Sequence, residues 1–212
     1  MSAPVRLKIC GVTRAADVDA CVTLGVDALG FNLWPGSSRA LSLDAAAALV
    51  ARVPRPGPLR IGVVVDPDPA TLQTIAETLG LDAVQLHGDR TAAAYPGLTL
   101  PWVWVVRGTP ELATLRVPEP APTWILLDAA VAGFGGRGVV HDWAWAAAAR
   151  AALAPAQVWL AGGLGPDNAA AAIAQVGPAG IDVASGAEDG TPGHKSTARV
   201  VALRTICATF PP

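Results

Sequence analysis

Eight short apolar runs recur along the chain, and almost every one ends in a residue that can take part in chemistry. The runs are rich in β-branched residues and are bounded by turn residues. This pattern is typical of strands that are buried on both faces in a parallel sheet covered by helices. The runs lie at residues 5–11, 28–33, 61–66, 83–88, 102–107, 124–128, 158–163 and 180–186.

Helix signals fill the segments between the runs, although the signal between residues 88 and 101 is weak. Residues suited to capping a helix N-terminus are Thr13, Ser42 or Asp44, Asp68, Asp142 and Ser196. Strand and helix therefore alternate, which predicts an α/β fold. A doubly wound open sheet has the same alternation, but a count of eight strands favours a single (β/α)8 TIM barrel over residues 1–212.

Charge and hydropathy exclude several classes of partner. The chain has 15 Lys plus Arg and 17 Asp plus Glu, so it offers no electrostatic basis for binding nucleic acid or a membrane surface. The longest charge-free stretches, 91–106 and 151–166, contain Pro or Gly and are too short to span a bilayer. The N-terminus has no apolar segment of the secretory type, so we expect a cytoplasmic protein.

Metal and disulfide sites are not favoured by the sequence. The cysteines are odd in number and lack C-x-x-C spacing, which argues against a disulfide framework and a thiolate zinc site. The histidines are scattered and do not suggest a metal site. These residues are Cys10, Cys21 and Cys207, and His87, His141 and His194.

A thiol and a carboxyl group end the first and sixth runs, at Cys10 and Asp128. In a barrel the C-terminal ends of the strands surround one mouth, so these two groups would face each other across it. Such a pair can move protons on and off a substrate if the thiol pKa is lowered and the carboxyl pKa is raised. The alternatives are a small buried apolar Cys10 and an Asp128 that only caps a helix or anchors a loop.

Other residues near the mouth suit an anionic ligand. Arg39, after the second run, could bind a substrate carboxylate in a bidentate manner, and His87 could orient a substrate or simply be structural. Glycines let backbone N–H groups approach phosphate oxygens, and the loops after strands seven and eight are the usual phosphate site of a barrel. The glycine-rich segments are residues 133–138, Gly162-Gly163 and Ser185-Gly186.

Several motifs occur in an order that resembles the phosphoribosylanthranilate isomerase family of tryptophan biosynthesis, over nearly the whole chain. They include Lys8-Ile9-Cys10-Gly11, Ser37-Ser38-Arg39, Gln85-Leu86-His87-Gly88, Leu126-Leu127-Asp128, Gly135-Gly136-Arg137-Gly138, Gly162-Gly163-Leu164, and Asp182-Val183 with Ser185-Gly186 and Glu188. The resemblance departs at Ala161 and Ala184, where the family often has serine, at Trp104, which is often lysine, and at Asn32.

The resemblance implies a barrel that uses neither metal nor cofactor. Its reaction would be the Amadori rearrangement of N-(5-phosphoribosyl)anthranilate to 1-(2-carboxyphenylamino)-1-deoxyribulose 5-phosphate. By the family motifs, Asp128 matches the general acid, Cys10 the general base and Arg39 the residue that holds the anthranilate carboxylate. The phosphate-binding backbone matches Gly136, Gly138, Gly163, Ser185 and Gly186, and we expect Gly162 and His87 among the substrate contacts. The expected partner is a small phosphorylated substrate, bound by a monomer or homodimer.

Two other functions remain open from the sequence. One is a different phosphosugar isomerase or epimerase, including an enzyme that also acts on a ribonucleotide of histidine synthesis. That chemistry is expected to pair two carboxylates, so Cys10 argues against it. The other is a barrel that only binds a phosphorylated ligand, which would need neither Cys10 nor Asp128.

Overall fold

The computed structural model describes residues 4–129 and 142–210. Its eight strands pair in parallel and in chain order, and the first also pairs with the last, so the sheet closes on itself. The predicted (β/α)8 barrel is therefore confirmed, and the open sheet is excluded. The strands are β1 (Arg6–Cys10), β2 (Ala28–Asn32), β3 (Leu59–Val65), β4 (Ala83–His87), β5 (Trp102–Arg107), β6 (Trp124–Asp128), β7 (Val158–Leu160) and β8 (Gly180–Val183).

Six α-helices lie between the strands or after the last one in the described residues. They are α1 (Ala15–Thr23), α2 (Leu43–Val50), α3 (Pro69–Leu79), α4 (Trp143–Ala152), α5 (Ala169–Val176) and α6 (Thr197–Thr209). After β4 and β5 the chain forms only short 3-10 turns, at Ala92–Ala94 and Leu112–Thr114. No helix in the described ranges combines the length and apolar character needed to cross a membrane.

Four of the five predicted helix caps are confirmed. The side chains of Ser42, Asp68, Asp142 and Ser196 each accept a hydrogen bond from a backbone N–H in the first turn of the helix that follows. The prediction for Thr13 is wrong, because its hydroxyl donates to the carbonyl of Gly193 at 2.9 Å and α1 begins without a side-chain cap. That contact joins the β1–α1 loop to the segment before α6.

The interior of the barrel is filled at the end where the strands begin. Trp124 and Trp159 stack there with ring centroids 5.2 Å apart. Gly180 gives Trp159 its space, because a Cβ at Gly180 would lie 2.6 Å from the indole ring. The packed tryptophans fill this end of the barrel, and active sites of this fold lie at the other end, where the strands finish.

Candidate active site

A cavity opens at the C-terminal ends of the strands. The predicted site residues that line it are Cys10, Arg39, His87, Asp128, Gly162, Gly163 and Ser185. Gly186 lies in an adjoining cavity that shares Gly163 and Ser185 with the first. Gly136 and Gly138 lie outside the described residues. Residues from six separate parts of the chain thus meet at one mouth.

Cys10 ends β1 and is half-buried in this cavity. Its thiol lies next to the ammonium of Lys8, and a Cβ on Gly30 would come 2.8 Å from Cys10 Sγ and 3.1 Å from Lys8 Nζ. Burial raises the pKa of the Cys10 thiol, whereas the charge of Lys8 opposes that rise. The thiol is therefore protonated at rest, beside a cation that stabilises its thiolate.

Asp128 ends β6 and is 7% exposed. Burial and, after it, the charge of Asp182 raise the pKa of the Asp128 carboxyl to about 6, although Arg107 acts in the opposite direction. A carboxyl with this pKa holds a proton in a useful fraction of molecules near neutral pH. It is suited to give a proton to a substrate oxygen.

An ion pair between Lys8 and Asp182 lies beside these two groups. Lys8 Nζ is 2.7 Å from Asp182 Oδ2, and both residues are buried. Asp182 lines the cavity, and its Oδ1 has no hydrogen-bond partner among the described residues. No role for Lys8 was predicted from the sequence, although Lys8 and Cys10 are two residues apart on one strand and must share a face.

His87 lies on the cavity wall as a neutral ring. Its Nε2 is 2.7 Å from Nε2 of Gln85, which also lines the cavity. Burial, followed by the charges of Lys8 and Arg107, lowers the pKa of His87 to about 3. The imidazole can therefore offer a hydrogen bond to a substrate but carries no charge near neutral pH. Among the described residues, no three His, Cys, Asp or Glu side chains are grouped to hold a metal ion.

Arg39, on the loop after β2, is bound by Glu188, which follows β8. Its Nε lies 2.6 Å from Glu188 Oε1, and its Nη2 lies 2.7 Å from Oε2. The Nε–Nη2 edge of the guanidinium, which could hold a carboxylate in a bidentate manner, is therefore occupied by a residue of the protein. A substrate carboxylate would have to bind the Nη1–Nη2 edge instead. From the sequence alone, Glu188 was only one member of a family motif.

Hydrogen bonds within the β2–α2 loop fix the position of Arg39 from the other side. Asn32 Oδ1 accepts from Trp34 N at 2.9 Å, and Asn32 Nδ2 donates to Ser37 Oγ at 3.1 Å. Ser37 Oγ in turn accepts from the backbone N–H of Arg39 at 3.1 Å. The unusual Asn32 thus organises the loop that carries Arg39.

Two loops pack against each other at the far side of the cavity. Asn168 Nδ2 donates to Gly163 O at 2.9 Å, and Arg199 Nε donates to Gly186 O at 2.7 Å. A Cβ at Gly186 would overlap the carbonyl of Leu164, so the contact between the loops requires glycine. Bare backbone from both loops therefore faces the same space, as an anion site requires.

The residues that depart from the family pattern lie in two places, some in the active-site cavity and one outside the barrel. Ala161 and Ala184 line the active-site cavity, so they can affect contacts with a ligand. Trp104 packs half-buried against the core outside the barrel and lines a separate groove. Trp104 is not among the described residues that line the active-site cavity.

Known proteins match this chain along most of its length. The family model of N-(5'phosphoribosyl)anthranilate (PRA) isomerase matches residues 7–204. The N-(5'-phosphoribosyl)anthranilate isomerase of Myxococcus xanthus is 43% identical over 203 residues, which are 94% of this chain and 94% of that protein. That of Thiobacillus denitrificans is 41% identical and covers 87% of this chain and 89% of its own.

Solved structures agree with these matches. Phosphoribosyl anthranilate isomerase from Thermotoga maritima has a TM-score of 0.84 at 30% identity, over 97% of this chain and 100% of that chain. A structure of the enzyme in complex with reduced 1-(o-carboxyphenylamino)-1-deoxyribulose 5-phosphate has a TM-score of 0.81 at 29% identity, with the same coverage. The chain belongs to the N-(5'-phosphoribosyl)anthranilate isomerase family.

Proposed function

We propose that this protein catalyses the Amadori rearrangement of N-(5-phosphoribosyl)anthranilate to 1-(2-carboxyphenylamino)-1-deoxyribulose 5-phosphate, a step of tryptophan biosynthesis. The main support is that Cys10 and Asp128 line one cavity with the glycine loops and Arg39. The substrate carries an anion at each end, and the reaction only moves protons. It therefore requires no redox cofactor.

Asp128 is the general acid in this proposal. Its proton passes to the ring oxygen of the ribose, which opens the ring to an iminium. Cys10 is the general base that removes the proton from C2, and the resulting enolamine tautomerises to the ketose. The raised pKa of Asp128 supports its role, and the charge of Lys8 favours the thiolate of Cys10.

Two kinds of group bind the two ends of the substrate. Gly162, Gly163, Ser185 and Gly186, together with Gly136 and Gly138, are proposed to bind the phosphate through backbone N–H groups. Arg39 binds the carboxylate and His87 contacts the sugar. Holding both ends fixes the ribose between acid and base, where correct placement contributes most to the rate.

The first test is turnover by the purified protein. Loss of the fluorescence of N-(5-phosphoribosyl)anthranilate is followed with time, and the product is identified by mass spectrometry. We expect a ketose product of unchanged mass, formed without added metal or cofactor. A protein that leaves the substrate unchanged at saturating concentration would reject the proposed function.

The assembly and cellular location are part of the same proposal. One Thermotoga maritima relative, 28% identical, is described as a monomer generated from a dimeric enzyme, so we propose a monomer or a homodimer for this chain. Cys10, Cys21 and Cys207 are all free thiols, which fits the reducing cytoplasm. Light scattering on the purified protein measures the assembly directly.

A further inference from the structure

The side chain of Arg39 is held along its whole length. Its backbone N–H is bound to Ser37. Its aliphatic part crosses Gly11, where an added Cβ would overlap Arg39 Cδ. Its guanidinium is bound twice by Glu188. Because each part is fixed, the direction of the guanidinium is set by the protein.

Glu188 is itself firmly placed. Its Oε1 accepts hydrogen bonds from Lys195 Nζ at 2.9 Å and from Gly193 N at 2.8 Å. Lys195 is 5% exposed and also donates from Nζ to Ala184 O at 3.1 Å. Burial alone would raise the pKa of Glu188, but its partners Arg39 and Lys195 outweigh burial and keep that pKa below the usual value. Glu188 is therefore an ionised and immobile anchor.

Charge and position indicate what this anchor does. Two cations, Arg39 and Lys195, surround one carboxylate, so the group keeps a net positive charge. Arg39 lines the cavity, whereas Glu188 is not among its lining residues. No hydrogen bond to Arg39 Nη1 is found within the described residues. The outer Nη1–Nη2 edge is thus left for a second carboxylate, bound end-on.

We propose that Glu188 is a positioning residue that aims Arg39 at the carboxylate of the substrate's aminobenzoate ring. Glu188 does not touch the substrate. It makes the protein select a 2-carboxylated aromatic amine over an uncharged one, because a guanidinium held in place loses little freedom when the carboxylate binds. This inference rests on the proposed function and adds a source of substrate specificity to it.

The test compares two substrates that differ only in the carboxylate. N-(5-phosphoribosyl)anthranilate and N-(5-phosphoribosyl)aniline are both prepared by condensing ribose 5-phosphate with the amine. In Glu188→Gln we expect kcat/KM for the anthranilate substrate to fall about tenfold or more, mainly through KM. The value for the aniline substrate should change less than about twofold, because Arg39 has no carboxylate to bind there.

A purely structural role for Glu188 gives a different result, since a damaged fold would lower both kcat/KM values equally. That outcome overturns the proposal. Lys195→Gln loosens Glu188 without removing it. It should lower the ratio of kcat/KM for the anthranilate substrate to kcat/KM for the aniline substrate, but by less than Glu188→Gln does. If Glu188→Gln does not fold, an unchanged ratio in Lys195→Gln overturns the proposal.

Arg39→Ala supplies the remaining control. With the guanidinium absent, adding Glu188→Gln should leave the substrate ratio unchanged, and a further drop would contradict the positioning role. Wild-type protein that turns over neither substrate would reject the proposed function and this inference together. Wild-type activity with an unchanged ratio in Glu188→Gln would reject this inference alone.

Discussion

Lys8 and Asp182 form a buried ion pair between neighbouring strands, with Nζ and Oδ2 2.7 Å apart. Each partner is the leading charge on a different group in the cavity. The ammonium of Lys8 is the main influence that lowers the pKa of Cys10, and the carboxylate of Asp182 is the main charge that raises the pKa of Asp128. The ion pair therefore biases Cys10 towards a thiolate and Asp128 towards its acid form, as the proposed mechanism requires.

Removing one partner of this pair should affect both stability and activity. Lys8→Met leaves Asp182 as a buried charge without a partner, so we expect a loss of about 3–5 kcal/mol in the free energy of unfolding. It should also raise the pKa of Cys10 and lower kcat/KM by about tenfold or more. Denaturant titration and a pH–rate profile measure the two effects.

The double variant Lys8→Met with Asp182→Asn is the matched control. Both buried charges are then absent, so most of the stability should return while the activity stays low. Full recovery of activity in the double variant would show that the pair does not tune the catalytic groups.

The free energy of unfolding should depend on pH because the pKa of the buried Asp128 is raised. Its pKa is raised to about 6 in the folded protein, so the folded state binds the proton more tightly than the unfolded state. Its contribution is therefore most favourable below the unfolded pKa, near 4, and is lost as the pH rises through 6. The loss is on the order of 3 kcal/mol.

Asp128→Asn cannot ionise, so it should gain stability relative to the wild type as the pH rises from 4 to 8. Denaturant titrations at several pH values measure this difference. A constant difference across the range would show that Asp128 has an ordinary pKa.

The pH–rate profile should show which protonation state reacts. At rest Cys10 holds its proton and Asp128 has mostly lost its own at neutral pH, so the reactive form is a minority with the proton moved from sulfur to carboxyl. We expect kcat/KM to fall below about pH 6 and to fall again at alkaline pH. The substrate phosphate also titrates near 6. The residual activity of Asp128→Asn separates the two. If Asp128 causes the break near pH 6, the break should disappear and the rate should keep rising with pH as the Cys10 thiolate forms; a break that stays near pH 6 would belong to the substrate phosphate.

The contact at Gly186 between the loops after β7 and β8 should affect how tightly the protein binds phosphate. In Gly186→Ala the new Cβ overlaps the carbonyl of Leu164 and separates the two loops. We expect KM and the inhibition constant of inorganic phosphate each to rise about tenfold or more. Gly80→Ala is the control, since Gly80 ends α3 at φ 55° and a Cβ there meets nothing within 4 Å. It should lose about 1–2 kcal/mol of stability, because an L-residue is strained in the left-handed conformation, and keep both constants.

The barrel could be predicted because its signals are local. Eight apolar runs and side-chain caps such as Ser42 and Asp68 depend on neighbours in sequence. Thr13 could not be predicted in this way, because its hydroxyl is used by Gly193, 180 residues away. The same residue type caps a helix or makes a tertiary contact depending on what the fold brings near it.

The candidate site was predicted only in part for a related reason. Strand ends converge in any barrel, so Cys10 and Asp128 could be placed at one mouth from the sequence. The partners that tune them could not, because Asp182 is 174 residues from Lys8 and Glu188 is 149 residues from Arg39. Only the strand period, which puts Lys8 on the same face as Cys10, gave a usable signal.

Division of acid and base between Asp128 and Cys10 is tested most directly by the turnover number of single variants. We expect Cys10→Ala and Asp128→Asn each to lower kcat by about 10² or more with the fold retained. Cys21→Ala, which removes a buried thiol from α1, should keep kcat near the wild-type value. Near-normal kcat in both Cys10→Ala and Asp128→Asn would contradict the proposed mechanism.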